Sequence, residues 1–134
     1  MYSLSFRKRS TYRFFAKCPE VEISLSVGDE RVKLWANIDT GAEYCFFDRG
    51  YAEALSIDLA GRTPEVISTV AGQFRAYRHE VILAVIGIEV DALVFFYENH
   101  ETKRNVLGRN GWLNRVRLGL VDHESLVYLS AYDD

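Results

Sequence analysis

Residues 21–38 carry the pattern that most constrains the fold. Val21, Ile23, Leu25 and Val27 alternate with Glu22, Ser24 and Ser26, the period-two signature of a strand with one buried face. Gly28, Asp29 and Glu30 supply a turn. Residues 31–38 then return with Val32, Leu34, Ala36 and Ile38 on one face. The same period dominates the rest. Residues 65–69 and 74–86 read as a second hairpin with its tip at Ala71-Gly72, 88–97 as a β-branched and aromatic strand, and 115–121 and 125–129 as the last two. A short strand is expected at 44–47, and 105–107 is a short apolar run ended by Gly108. Asp48 is placed to cap a brief helix over 49–55, and one or two helical turns fit 109–113. The class is therefore all-β with two short helices, arranged as a small closed barrel or a two-layer sheet.

The chain's 134 residues, 49% of them hydrophobic and 26% charged, make one domain able to bury a core. Disordered, collagen-like and coiled-coil classes are excluded. The longest apolar run, 81–88, is too short to cross a membrane. No long apolar stretch follows the basic residues near the start, so a cytoplasmic location is expected. A net charge of −3 argues against a polyanion partner. The arm that carries Arg7, Lys8, Arg9, Arg13 and Lys17 among Tyr12, Phe14 and Phe15 could bind single-stranded nucleic acid, but the acidic remainder outweighs it and no nucleic-acid partner is expected.

Asp39-Thr40-Gly41 is the most informative triplet. Alone it reads first as a turn in which Asp bonds its own backbone and Gly takes a positive φ. Its context is stronger: an apolar strand delivers Asp39 to a strand end, Gly41 permits a tight turn, and small Ala42 follows. Further along comes Val106-Leu107-Gly108-Arg109-Asn110, two apolar residues, a glycine and a helix start. His79, His100 and His123 lack ligand spacing relative to one another and to Cys18 and Cys45, so neither a metal nor another cofactor is expected. Cys45, in an apolar stretch with no base nearby, reads as a small buried hydrophobe.

Ile38-Asp39-Thr40-Gly41-Ala42, a glycine-tipped hairpin near Gly72, and Asn105-Val106-Leu107-Gly108-Arg109-Asn110, in that order, resemble the retropepsin-like aspartic proteases, the retroviral proteases and their small bacterial relatives. The likeness runs over about residues 21–121. It implies a closed β-barrel of the acid protease fold over 21–134, preceded by an arm, 1–20, that is a candidate dimer-interface strand, with 2–6 and 125–129 as the segments to pair. It implies an aspartic endopeptidase acting on protein or peptide substrates as a homodimer, each copy supplying one catalytic Asp39. By the same resemblance Thr40 bonds across to the partner's turn, and Gly41 and Ala42 line the site. A serine in place of Ala42 would donate to the carboxylate; alanine does not, so activity is expected at mildly acidic to near-neutral pH. Val70, Ala71, Gly72, Gln73 and Phe74 form the flap, and Phe74 or Tyr77 walls a side-chain pocket. Gly108 and Asn110 support the site. Arg109 pairs with Glu43 in a buried or half-buried ion pair, whose disruption would cost about 3–5 kcal/mol if fully buried. The alternative is a dimeric module of the same fold that binds peptides without cleaving them.

Overall fold

A computed structural model describes residues 1–15 and 18–134; Lys17 of the basic arm lies outside the described residues. In chain order the elements are β1 (Lys8–Thr11), β2 (Arg13–Phe15), β3 (Cys18–Val27), β4 (Glu30–Ile38), β5 (Phe46–Phe47), helix α1 (Arg49–Ala54), β6 (Glu65–Thr69), β7 (Gly72–Val85), β8 (Ile88–Tyr97), β9 (Val106–Leu107), β10 (Val116–Val121) and β11 (Leu126–Ala131). The larger sheet runs β2-β3-β4-β9-β5-β8-β7-β6, and an additional β3–β7 pairing closes a ring through β3, β4, β9, β5, β8 and β7. The all-β acid-protease architecture expected from the sequence is the one observed.

The β3–β4 hairpin turns through two residues between Val27 and Glu30. Gly28 takes φ +58° there, a conformation two-residue hairpin loops require and L side chains resist. The alternation along β3 breaks at Glu20 and Ser24, both buried. Ser24, expected outside, is covered by Arg31 of β4, whose Nη2 donates to the Ser24 hydroxyl at 3.3 Å. The interior of the ring holds Leu25, Leu83, Val94, Phe47 and Phe96, and Trp112 packs into the same cluster. A smaller cluster, Phe46, Ala76, Phe95, Tyr97 and Val106, lies on the side of the cleft described below.

Residues 1–6 form no strand; the arm's strands are β1 and β2 instead. β1 pairs with β11, which also pairs with β10, so the segment read as 125–129 is the middle strand of a three-stranded sheet within its own chain. Asp48 caps α1 as expected, its carboxylate accepting from Gly50 N at 2.9 Å. The helix expected over 109–113 is absent. A short 3-10 turn, Leu113–Arg115, begins only at its last residue, because Gly111 adopts φ +100°, outside the helical region. No helix among the described residues is long and apolar enough to cross a membrane.

Candidate active site

Asp39 stands where β4 ends. Asn37 and Ile38 pair in parallel with Val106 and Leu107, and the ladder continues one residue further as Asp39 N donates to Leu107 O at 3.0 Å. The turn closes with Ala42 N donating to Asp39 O at 3.2 Å. Both carboxylate oxygens are engaged: Oδ1 accepts from Gly41 N at 3.0 Å and Oδ2 from Arg104 Nη2 at 3.0 Å. The Asp39 side chain is 31% exposed, and Thr40 and Gly41 are exposed. Gly41 does not take a positive φ, and a Cβ there would sit 3.4 Å from Asp39 Oδ1, an ordinary contact. Backbone strain therefore does not explain glycine at 41.

Gly108 is different. An added Cβ would lie 2.1 Å from Tyr44 O and 2.8 Å from Ala42 O, so two backbone segments cross with no room for a side chain. Around that crossing Arg109 N donates to Ala42 O and Asn110 N to Glu43 O, each at 2.9 Å, and Tyr44 bridges Asn110 in parallel. Cys45 fills the space beneath. Its thiol accepts from Gly108 N at 3.3 Å, and burial pushes it up to about 11, the Gly108 N–H opposing. The burial expected for Cys45 is what the structure contains.

A cleft of about 720 Å³ opens over Asp39, within the range of ligand sites. Its lining joins Asp39, Gly41, Ala42, Glu43 and Tyr44 with the tip of the β6–β7 hairpin, residues 67–74, and with Phe46, Tyr97, Thr102, Arg104 and Val106. The hairpin register, Thr69 opposite Gly72, leaves Val70 and Ala71 as the loop, and Val70 is fully exposed. Thr69 Oγ1 braces the tip, accepting from Ala71 N at 3.2 Å and donating to Gly72 O at 3.1 Å. Of the two aromatic wall candidates, Phe74 lines the cleft and packs on Phe46 and Tyr97 with ring centroids 5.2 and 5.6 Å apart. Tyr77 belongs to the main core. Burial pushes the Tyr97 hydroxyl up to about 12, with Arg104 pulling against it. A second concavity of about 480 Å³, lined in part by Arg78, Glu80, Asp91 and Arg115, does not contain Asp39.

The expected Glu43–Arg109 ion pair is not formed within the chain. Both side chains are exposed, and among the described residues no salt bridge joins them. The two segments are instead tied through backbone N–H and C=O groups, which needs neither side chain. His100 meets Glu53 at 2.7 Å and His79 meets Arg62 at 3.2 Å. Among the described residues no group of three or more His, Cys, Asp or Glu side chains is arranged to hold a metal ion. Sequence reasoning missed Arg104, Tyr97, Thr102 and Phe46 as cleft residues. The signal available was position: Arg104 stands two residues before the strand that pairs beside Asp39, and Tyr97 ends the strand that pairs with the hairpin.

A family model described as aspartyl protease matches residues 23–111, a span that takes in the Asp39 turn, the hairpin and the Gly108 crossing. No curated protein matches the chain.

Proposed function

This chain belongs to the retropepsin-like aspartyl protease family, and from that premise we propose that it is an endopeptidase working as a homodimer on extended polypeptides, with Asp39 of each copy as the catalytic pair. The observation that carries the reading is the part-exposed Asp39 carboxylate in a cleft whose lining is largely apolar and includes a hairpin tip. Aspartic proteolysis needs two carboxylates around one water. Like charges about 3 Å apart cannot both ionise, so the pair holds one proton. The ionised member takes a proton from the attacking water while the neutral member donates toward the peptide carbonyl oxygen. One chain offers one Asp-Thr-Gly turn, so the chemistry asks for a C2 dimer.

The remaining roles are those that the family resemblance implies. Thr40, exposed beside Asp39, bonds to the partner's turn and keeps the two carboxylates coplanar. Val70, Ala71, Gly72, Gln73 and Phe74 close over the substrate as a flap, donate backbone hydrogen bonds and exclude water. Cys18 and Cys45 are free thiols, in keeping with a reducing compartment and a cytoplasmic enzyme. The test compares wild type with Asp39→Asn on casein, with and without pepstatin, alongside sedimentation velocity. Pepstatin-sensitive cleavage by a dimer, lost in Asp39→Asn, is expected. Cleavage by a species that stays monomeric overturns the paired-Asp mechanism.

One observation favours a second reading, a dimeric peptide-binding module without turnover: Asp39 Oδ2 is already paired with Arg104. A wild-type dimer that binds peptides but cleaves none would select it.

A further inference from the structure

The lining of the Asp39 cleft is apolar along most of its length, through Ala42, Phe46, Ile67, Phe74, Tyr97 and Val106, and among the described residues its one cation is Arg104. We propose that Arg104 is a specificity-determining residue: it makes the cleft prefer a substrate whose side chain next to the scissile bond is a carboxylate, Asp or Glu. The inference rests on the reading of the cleft as a proteolytic site.

Three observations carry it. The Arg104 guanidinium lies 3.0 Å from Asp39 Oδ2, so a group it grips is within one residue of the carbonyl that Asp39 would address. Only its Nη2 is used among the described residues, although a guanidinium offers five N–H donors in a rigid fork. The side chain is 54% exposed, leaving those donors open to a ligand. Glu43, the other acid in the lining, forms no ion pair with Arg104 among the described residues, and the Tyr97 hydroxyl is held neutral to about pH 12.

A substrate carboxylate engages the open donors of the fork with two parallel N–H···O bonds. A neutral side chain at the same place cannot. Discrimination of about tenfold or more is expected, the scale of one hydrogen bond to a charged group, and it falls as salt is raised because the guanidinium is part-exposed.

The test digests a proteome-derived peptide library with wild type, Arg104→Gln, Arg104→Lys, Arg104→Glu and Asp39→Asn, and counts residues flanking each new terminus by mass spectrometry. Wild-type sites should be enriched in Asp and Glu on at least one side of the cut. The enrichment should vanish in Arg104→Gln, survive in weakened form in Arg104→Lys, and turn toward Lys and Arg in Arg104→Glu. Thermal melts run beside the digests identify a variant that has merely unfolded. In parallel, two fluorescein-labelled peptides differing only by Glu or Gln are titrated against Asp39→Asn, where Arg104 has lost its carboxylate partner; the Glu peptide should bind at least about tenfold tighter. Cleavage that persists in Asp39→Asn overturns the catalytic reading beneath the proposal. Asp39-dependent cleavage with the same flanking preference in wild type and Arg104→Gln overturns the role of Arg104 alone. If no library peptide is cut, equal binding of the Glu and Gln peptides overturns it equally.

Discussion

Gly108→Ala tests the claim that the candidate site is held by a crossing of backbones rather than by side-chain pairs. The new methyl carbon would start 2.1 Å from Tyr44 O, 2.7 Å from Tyr44 C and 2.8 Å from Ala42 O. None of these neighbours is the free end of a flexible side chain. To reach an ordinary contact of about 3.4 Å the crossing must open by more than 1 Å. The bonds from Arg109 N to Ala42 O and from Asn110 N to Glu43 O, both 2.9 Å, then stretch beyond hydrogen-bonding range. Overpacking costs about 1–3 kcal/mol, and each lost bond about 0.5–1.5 kcal/mol more, giving about 2–6 kcal/mol in all. Domains of this size are stable by about 5–15 kcal/mol, so the variant is expected to melt far earlier or not to fold. Urea unfolding followed by tryptophan fluorescence reads it directly, since Trp112 is buried four residues on. Gly50→Ala is the control. Its Cβ would sit 3.5 Å from Asp48 Oδ1 in α1, and replacing a helical glycine is worth about 0.5–1 kcal/mol of stabilisation. A Gly108→Ala midpoint within 0.5 kcal/mol of wild type, about the scatter of neutral surface changes, would refute the reasoning.

Arg109→Ala should leave unfolding within about 0.5 kcal/mol of wild type, because its side chain is exposed and its contribution to the crossing is a backbone N–H; a loss of 3 kcal/mol or more in urea melts would restore the buried ion pair. Cys45 should resist iodoacetamide at pH 8 in the folded protein and react once urea unfolds it, while the partly exposed Cys18 reacts first; mass spectrometry of the labelled peptides decides, and fast labelling of Cys45 before unfolding refutes its burial. The same thiol predicts an alkaline loss of stability. Its folded value is raised, to about 11 from 9.0, so its contribution is fully present below pH 9 and is lost as pH rises from about 9 to 11. The size is about 3 kcal/mol. Cys45→Ser melts compared at pH 8 and pH 10.5 should converge toward wild type at the higher pH, and a gap that stays constant counts against it.

The framework was legible in the sequence because a half-buried strand must alternate, and β3 and β4 do so up to the residue before Asp39. Ser24 was misread because alternation does not say where a long neighbouring side chain lies: Arg31 of β4 covers it, donating Nη2 to its hydroxyl at 3.3 Å. Arg109 illustrates a second limit. Residue types predict that a cation and an acid can meet, but where two loops cross at Gly108 the backbone groups are already paired and leave both side chains free to face water. The helix expected at 109–113 failed for a local reason, since Gly111 adopts φ +100°, outside the helical region. Arg104 was illegible for a different cause: within a charged stretch, 98–104, nothing in composition separates the residue that bends over Asp39 from Lys103, which pairs with Asp48 at 3.3 Å. Only the parallel pairing of β9 with β4 decides it. By aligning Val106 with Asn37 and Leu107 with Ile38, that register sets the chain just ahead of β9 against the Asp39 turn, and so makes one arginine of a solvated loop part of the cleft.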